Sequence, residues 1–364
     1  MKQASNYNIY DTTHEAWKAM YESIERAQKT VYWEVYILVD DEEGNKFFDL
    51  LIQKSRNGVD VKLVVDYWGS FWLSRKKISE LKNAGIDIQI FEGAKRSFRF
   101  IHRGLTKRTH RKILVVDENI GFIGGVNIQK NMKDWDDIHV MVRGKIVRSL
   151  LRSFARSYLM CGGERKKIRH LLKYRYRVEH NQIDFVYDDA DEYRSKARKK
   201  YVEALMKARE RVILFSPYYF PDKKLLQAMW KARKRGVRID LLIPFRTDVR
   251  IATYAAYAWF SLMHGKGIKI HLLKKMMHGK GVVVDDDWAM VGSSNLEHSS
   301  FYHNREANIR LRDRKAVKKL KRILERWINE SKLFDEIRWK RRGRFHKFKE
   351  KVATKLYKFW FNIK

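Results

Sequence analysis

The chain has 364 residues, 78 of them Lys or Arg and 43 Asp or Glu, for a formal net charge of +35. This length predicts two domains, each able to bury its own core, and 45% hydrophobic with 13% aromatic residues excludes a disordered basic tail. The single cysteine, Cys161, excludes an internal disulfide framework and a cysteine-rich metal site, while the charge calls for an anionic partner: nucleic acid, an anionic lipid surface or a phosphorylated substrate.

The first 30 residues lack the apolar core of a signal peptide and read as a capped amphipathic helix. A helix end then runs into the apolar strand VYWEVYIL, followed by SRNGVDVKLVVD, NAGIDIQIFEG and HRKILVVDENIGFIGGVN. The same four blocks return as RVILFSPYY, ARKRGVRIDLLIP, GKGIKIHLLKK and HGKGVVVDDDWAMVGSSN. Val31 thus corresponds to Val212, Gly58 to Gly236, Gly85 to Gly267 and His110 to His278. Helical stretches alternating with short β-branched runs predict an α/β fold, here a duplicated one with a mixed β-sheet flanked by helices in each lobe. The expected organisation is a first lobe over 1–165, a connection over 166–190, a second lobe over 191–332 and a basic amphipathic tail over 333–364. Within the connection, 183–187 could add an edge strand. The longest uncharged run, IATYAAYAWFSLM at 251–263, is too short for a bilayer span and predicts a buried helix. Any membrane contact is therefore expected to be peripheral.

Each copy carries the signature H-x-K-x4-D-x6-G-[GS]-x-N. The first holds His110, Lys112, Asp117, Gly124, Gly125 and Asn127; the second holds His278, Lys280, Asp285, Gly292, Ser293 and Asn295. Residues two apart on a strand share a face, so His and Lys of each copy point the same way. Two cationic groups side by side repel unless an anion lies between them. Such a pair suits a phosphate: Lys supplies fixed charge, Asn supplies amide donors, and His attacks or transfers a proton near neutral pH. The glycines allow close approach of the backbone.

This duplicated pattern resembles the phospholipase D superfamily, defined by two such HKD motifs, over about residues 8 to 325. The resemblance implies two pseudo-symmetric lobes with one active site at their interface, a covalent phosphohistidine, and no metal or other cofactor. By analogy His110 is the nucleophile and His278 the general acid/base. Lys112, Lys280, Asn127 and Asn295 would hold the non-bridging oxygens, with Ser293 in support, and Asp137 and Glu306 would orient the histidines. Asp117 and Asp285 complete the catalytic signature, though their positions suit bracing of strand ends better than contact with substrate.

The flanks KRTHRK and WDDIHV, and GSSNLEHSSFYHNREAN after the second motif, resemble bacterial cardiolipin synthases, in particular those expected without N-terminal transmembrane helices. His298 stands where that branch usually has Arg, and Gly279 gives H-G-K in place of H-A-K or H-T-K. The implied reaction transfers a phosphatidyl group to phosphatidylglycerol and releases glycerol, at the cytoplasmic side of a bacterial cell membrane. The alternative is a phosphodiesterase or nuclease of the same fold using water, with nucleic acid the lesser partner. The tail carries 11 basic residues against Glu350 between positions 338 and 364. At 100° per residue, Phe345, Phe348, Val352, Leu356, Phe359, Trp360 and Ile363 fall on one stripe and Lys347, Lys351, Lys355 and Lys358 on the other side, the pattern of an interfacial helix. A second basic stretch, 95–112, is expected to form a headgroup-facing rim that runs into His110.

Overall fold

The computed structural model describes residues 7–93, 107–174, 182–189 and 195–360. The first lobe contains β1 (Tyr7–Thr12), β2 (Thr30–Val35), β3 (Asp60–Asp66), β4 (Asp87–Phe91), β5 (Ile113–Val116), β6 (Ile120–Gly124) and β7 (Asp136–Arg143). They form one sheet in the order β1-β7-β6-β5-β2-β3-β4. β2, β3 and β4 run parallel, joined by crossover helices at Glu42–Arg56 and Arg75–Asn83, and the remaining pairings are antiparallel. Every residue of β3 after Asp60 is buried, as expected of a strand covered on both faces.

The second lobe adds β8 (Ile183–Asp188), β9 (Arg211–Phe215), β10 (Tyr219–Phe220), β11 (Arg238–Pro244), β12 (Lys269–Leu273), β13 (Gly281–Val284), β14 (Trp288–Gly292), β15 (Leu296–Glu297), β16 (Glu306–Leu311) and β17 (Lys332–Leu333). Its large sheet runs β17-β12-β11-β9-β13-β14-β16-β8. Read from β8, this is the first sheet strand for strand, with β17 appended outside β12. Gly58 and Gly236, which end equivalent helices, have φ of 85° and 88°, a left-handed conformation at which glycine alone carries no side-chain penalty.

One large core cluster is shared by the two sheets, and each lobe buries a further cluster of its own. Ile123, Ile138 and Val140 of the first lobe cluster with Phe215, Met277 and Val291 of the second. The helices Val147–Met160 and Arg314–Glu330 contribute Phe154, Leu320 and Trp327 to the same cluster.

Three boundaries differ from the sequence reading. The strand β8 lies inside the expected connection, but it pairs with β16 as β1 pairs with β7, so the second lobe is under way by Ile183. At the other end of that connection, Ile168 and Leu171 still pack into the shared core, which extends the first lobe past 165. The second lobe continues past the expected start of the tail at 333: β17 pairs with β12, and Phe334 is buried.

The 251–263 run forms the helix Arg250–Gly265, buried along Thr253, Ala256, Tyr257, Phe260 and Met263 but exposed at Ile251 and Leu262. On it lies the C-terminal helix Arg344–Trp360, whose packed face is Glu350, Ala353 and Tyr357. The Tyr357 ring stacks on Phe220 at 4.4 Å. The expected apolar stripe is a different face and stays exposed at Phe345, Phe348, Val352, Leu356 and Phe359. Position 363 and the side chain of Trp360 lie outside the described residues, as do 95–106 of the expected basic rim.

Candidate active site

In both lobes the His-x-Lys segment enters the strand after the crossover unit, β5 in the first lobe and β13 in the second, and each segment is clamped by the opposite lobe. The His110 backbone N–H donates to the carbonyl of Arg305 at 2.9 Å, and that of His278 to the carbonyl of Asp136 at 2.6 Å. The residues after those carbonyls are Glu306 and Asp137, and their carboxylates take the histidine rings. His110 Nδ1 lies 3.1 Å from both oxygens of Glu306, and His278 Nδ1 lies 2.8 Å from Asp137 Oδ2. Each lobe therefore orients the other lobe's histidine. Sequence spacing indicates the carboxylates but not this exchange, because both belong to strands that meet the opposite motif only when the lobes dock.

All four groups are buried, and burial sets their protonation. It pushes His110 down to about 4, with Lys112 adding repulsion and Glu306 working against both. His278 is lowered by burial and by Lys280, against the pull of Asp137. Burial also opposes the charged carboxylates, but His278 and Lys280 hold Asp137 below its ordinary value, and His110 and Lys112 do the same for Glu306. Each pair thus rests as a neutral imidazole donating Nδ1–H to a carboxylate, which leaves the Nε2 lone pair for chemistry.

The lysines reinforce this arrangement. Lys112 Nζ donates to the His110 carbonyl at 2.8 Å, and Lys280 Nζ donates to the His278 carbonyl. Burial, followed by repulsion from Lys280, lowers Lys112 well below the usual lysine value, and burial brings Lys280 to about 8. A bound anion relieves that repulsion.

A cavity of about 410 Å³ is lined by His110, His278, Asn127 and Asn295 together. Asn127 Oδ1 accepts from the Ile37 N–H at 3.2 Å, leaving its NH2 for a ligand. Asn295 Nδ2 donates to Glu297 at 3.0 Å. Ser293 does not face the cavity: its hydroxyl donates to Glu306 and accepts from the Ala307 N–H at 2.9 Å. Its counterpart Gly125 is small for a reason, since a Cβ there would lie 2.1 Å from Asp137 Oδ1. The variable second position of G-[GS] therefore records two ways of seating a carboxylate.

Asp117 and Asp285, expected in the catalytic signature, lie apart from the histidine–carboxylate pairs. They sit at the far ends of β5 and β13 in matching left-handed conformations, each with φ 50°, which Asp tolerates better than most residues. Asp117 accepts from the N–H groups of Gln28, Lys29 and Thr30, and Asp285 from those of Arg209, Glu210 and Arg211. They tie the hairpin turn to the start of the neighbouring strand.

Several site residues fall outside the repeated signature. Tyr36 stacks edge-on against His110 at 4.8 Å, Tyr218 lies against His278 at 6.4 Å, and both line the cavity with Arg108 and Asp248. Glu297 could have been found, since it follows the second Asn by two residues. Arg111, between His110 and Lys112, points to the opposite face and joins Ser153, Asp189 and the carbonyls of Glu306 and Asp188. Arg305 reaches the same Asp189 at 3.1 Å, a buried network that fixes the backbone beside His110 and Glu306. His298 is not a cavity residue; its ring packs 4.4 Å from that of Tyr302. A Cβ at Gly279 would meet Ile138 of the other lobe at 3.2 Å, so the glycine permits close lobe contact.

The family described as "Cardiolipin synthase, PLD-like domain" matches residues 20–158 and 201–328. Cardiolipin synthase 2 of Bacillus anthracis is 32% identical over 87% of this chain and 63% of that protein. The chain thus spans under two thirds of that relative's length. Cardiolipin synthase B of Salmonella typhimurium is 30% identical over 92% of this chain and 83% of its own length. Among solved structures, phosphatidylserine synthase of Haemophilus influenzae superposes with a TM-score of 0.74 at 15% identity, over 98% of this chain and 93% of that one, which speaks to the fold.

Proposed function

The chain belongs to the PLD-like cardiolipin synthase family, and from that premise we propose that it transfers a phosphatidyl group between two phosphatidylglycerol molecules. The observation that carries the proposal is the crossed pairing of His110 with Glu306 and of His278 with Asp137 at one cavity.

His110 Nε2 attacks phosphorus, forming an N–P bond as the P–O bond to glycerol breaks, and His278 gives its proton to the departing glycerol oxygen. The negative phosphodiester raises the histidine pKa on binding and supplies the charge that keeps that proton on His278. The hydroxyl of a second phosphatidylglycerol then loses its proton to His278 and forms the new O–P bond, and the N–P bond breaks to return neutral His110. The products are cardiolipin and glycerol. Lys112, Lys280, Asn127 and Asn295 would stabilise the non-bridging oxygens while charge builds on them.

The unequal loads on the two carboxylates support this order. Glu306 also accepts from Ser293 and lies 3.5 Å from the Asn304 amide, whereas among the described residues Asp137 has only the adjacent Ile138 N–H besides its histidine. A carboxylate with fewer competing donors better stabilises an imidazolium, which favours His278 as the proton carrier.

The proposed setting is the surface of an anionic membrane on its cytoplasmic side, with the protein bound peripherally. Among the described residues no helix is long and apolar enough to cross a membrane. The test offers phosphatidylglycerol vesicles and, separately, single-stranded DNA, both in EDTA. Cardiolipin and glycerol in equal amounts are expected. Phosphatidic acid without cardiolipin would make water the acceptor, and shortened DNA with untouched lipid would make the protein a nuclease; either result overturns the proposal.

A further inference from the structure

The loop after β3 reads Tyr67-Trp68-Gly69-Ser70-Phe71-Trp72. Four of its six residues are aromatic and exposed: Tyr67 and Trp68 at 43%, Phe71 at 56% and Trp72 at 72%. The rings run edge to face from Trp68 through Tyr67 and Phe71 to Trp72, at centroid spacings of 5.5, 6.4 and 5.5 Å. Exposed aromatics on this scale are costly in water and mark a contact surface.

The loop is firmly mounted. Asp66 Oδ1 accepts from the Trp68 and Gly69 N–H groups at 3.0 and 2.9 Å. Its Oδ2 accepts from the N–H of Thr109, the residue before His110, at 2.9 Å. Ser70 Oγ accepts from the Leu38 N–H and donates to the Tyr36 carbonyl, both at 3.1 Å. Gly69 lies so close to Tyr36 that a Cβ would be 2.2 Å from its carbonyl oxygen. The loop also borders the cavity mouth: Tyr36 and Arg108 line the cavity, and the Arg108 guanidinium sits 5.2 Å over the Trp68 ring.

We propose that residues 67–72 are a bilayer-docking element of the first lobe, which acts with the exposed stripe of the helix Arg344–Trp360 to set the cavity mouth among anionic headgroups. The inference rests on the phosphatidyl-transfer reading above and adds a surface to it.

Three observations favour a lipid occupant. Trp and Tyr prefer the bilayer interface, where an apolar ring body and a polar edge are both satisfied. Cations flank the rings, with Arg108 at Trp68 and the exposed Arg75 and Lys76 three and four residues beyond Trp72, and the whole chain carries +35. On the other side, Leu356 of the exposed helical stripe lines the same cavity, so apolar surface borders the mouth from both lobes. A substrate whose acyl chains remain in a bilayer needs such a mouth.

The experiment uses the full chain and vesicles of phosphatidylglycerol and phosphatidylethanolamine in equal parts. The double variant F71S/W72S should sediment with vesicles at least tenfold less well than the unaltered protein and lose vesicle-dependent turnover to match. Its turnover of monomeric dihexanoyl-phosphatidylglycerol should stay within twofold. In a Cys161→Ala background, an environment-sensitive fluorophore on F71C should shift to the blue when vesicles are added. Unchanged sedimentation of the double variant, no shift from a protein that does sediment, or equal loss of turnover on the monomeric lipid each overturns the docking role. If the unaltered protein makes no cardiolipin yet the fluorophore shifts, the phosphatidyl-transfer reading fails and the docking surface stands.

Discussion

Replacing Asp137 by Asn preserves shape and removes one charge 2.8 Å from His278 Nδ1. A carboxylate and an imidazolium at that separation attract by about 6 kcal/mol at an effective dielectric of 20. Relaxation around the neutral amide recovers part of that, while the lost partner of Lys280 is common to ground and transition states and cancels. The amide further disfavours the required tautomer, since an N–H of Asn cannot receive the Nδ1 proton. The net expectation is a loss of about 4 to 5 kcal/mol of transition-state stabilisation, or about 10³- to 10⁴-fold in kcat at pH 7. KM should move little, because Asp137 does not line the cavity. The assay is glycerol release from phosphatidylglycerol vesicles across pH. Asp137 raises the His278 pKa, so its removal lowers that pKa further. A group that must be protonated then fails at lower pH, and the basic limb of the profile should move down. In Glu306→Gln the His110 pKa falls instead. A group that must be neutral is then competent at lower pH, so the acidic limb moves down. If Asp137→Asn shifts the acidic limb and Glu306→Gln the basic one, the two histidines have their roles reversed. A kcat loss below tenfold in both would refute the crossed-pair mechanism.

Other outcomes follow from the same geometry. His278→Ala, given a phosphatidyl ester with a nitrophenolate leaving group that needs no proton, should accumulate a phosphatidyl adduct on the His110 peptide by mass spectrometry; an adduct on His278 in His110→Ala would reverse the assignment. Tyr357→Phe removes a hydroxyl that donates to Glu297, which in turn holds Asn295; a hydrogen bond to a buried carboxylate is worth about 2 kcal/mol, so kcat should fall about tenfold or more with KM nearly constant, and unchanged kcat would reduce that helix to a cover. Acid should destabilise the fold through buried neutral histidines: His110 and His139 are both lowered by burial to about 4. The unfolded chain binds those protons first, so stability present above about pH 6.5 is lost as pH falls towards 4, by about 3 kcal/mol for each group. His139→Gln should flatten the fall in melting temperature between pH 7 and 5, and an unchanged slope would count against the argument.

The repeat was legible because it is written in residue types that local geometry demands. Gly58 and Gly236 mark left-handed turns after equivalent helices, and Asp117 and Asp285 each serve three backbone N–H groups at a strand start. What spacing could not show was depth. Arg111 and Arg305 read as two more positive charges, yet they are fully buried on Asp189 and serine hydroxyls. The C-terminal stripe read as one amphipathic face, whereas the packed face turns on Tyr357 and Ala353, which hydrophobic periodicity passed over. The aromatic loop at 67–72 has no periodicity at all, and only its exposure singles it out.

The exchanged carboxylates also mean that neither lobe holds a complete site alone. In an isolated first lobe, Asp137 would be a carboxylate designed for burial beside a histidine it does not have, and His110 would lack both its Glu306 partner and the Arg305 carbonyl that holds its backbone. The second lobe would suffer the mirror loss at His278 and Glu306. Each separated lobe would expose its share of the common core and leave its histidine and carboxylate open to water, with nothing to orient either. Docking of the lobes therefore buries the core and orients both histidines in one step, and a substitution that loosens the interface, such as Gly279→Val against Ile138, should lose activity before the fold melts.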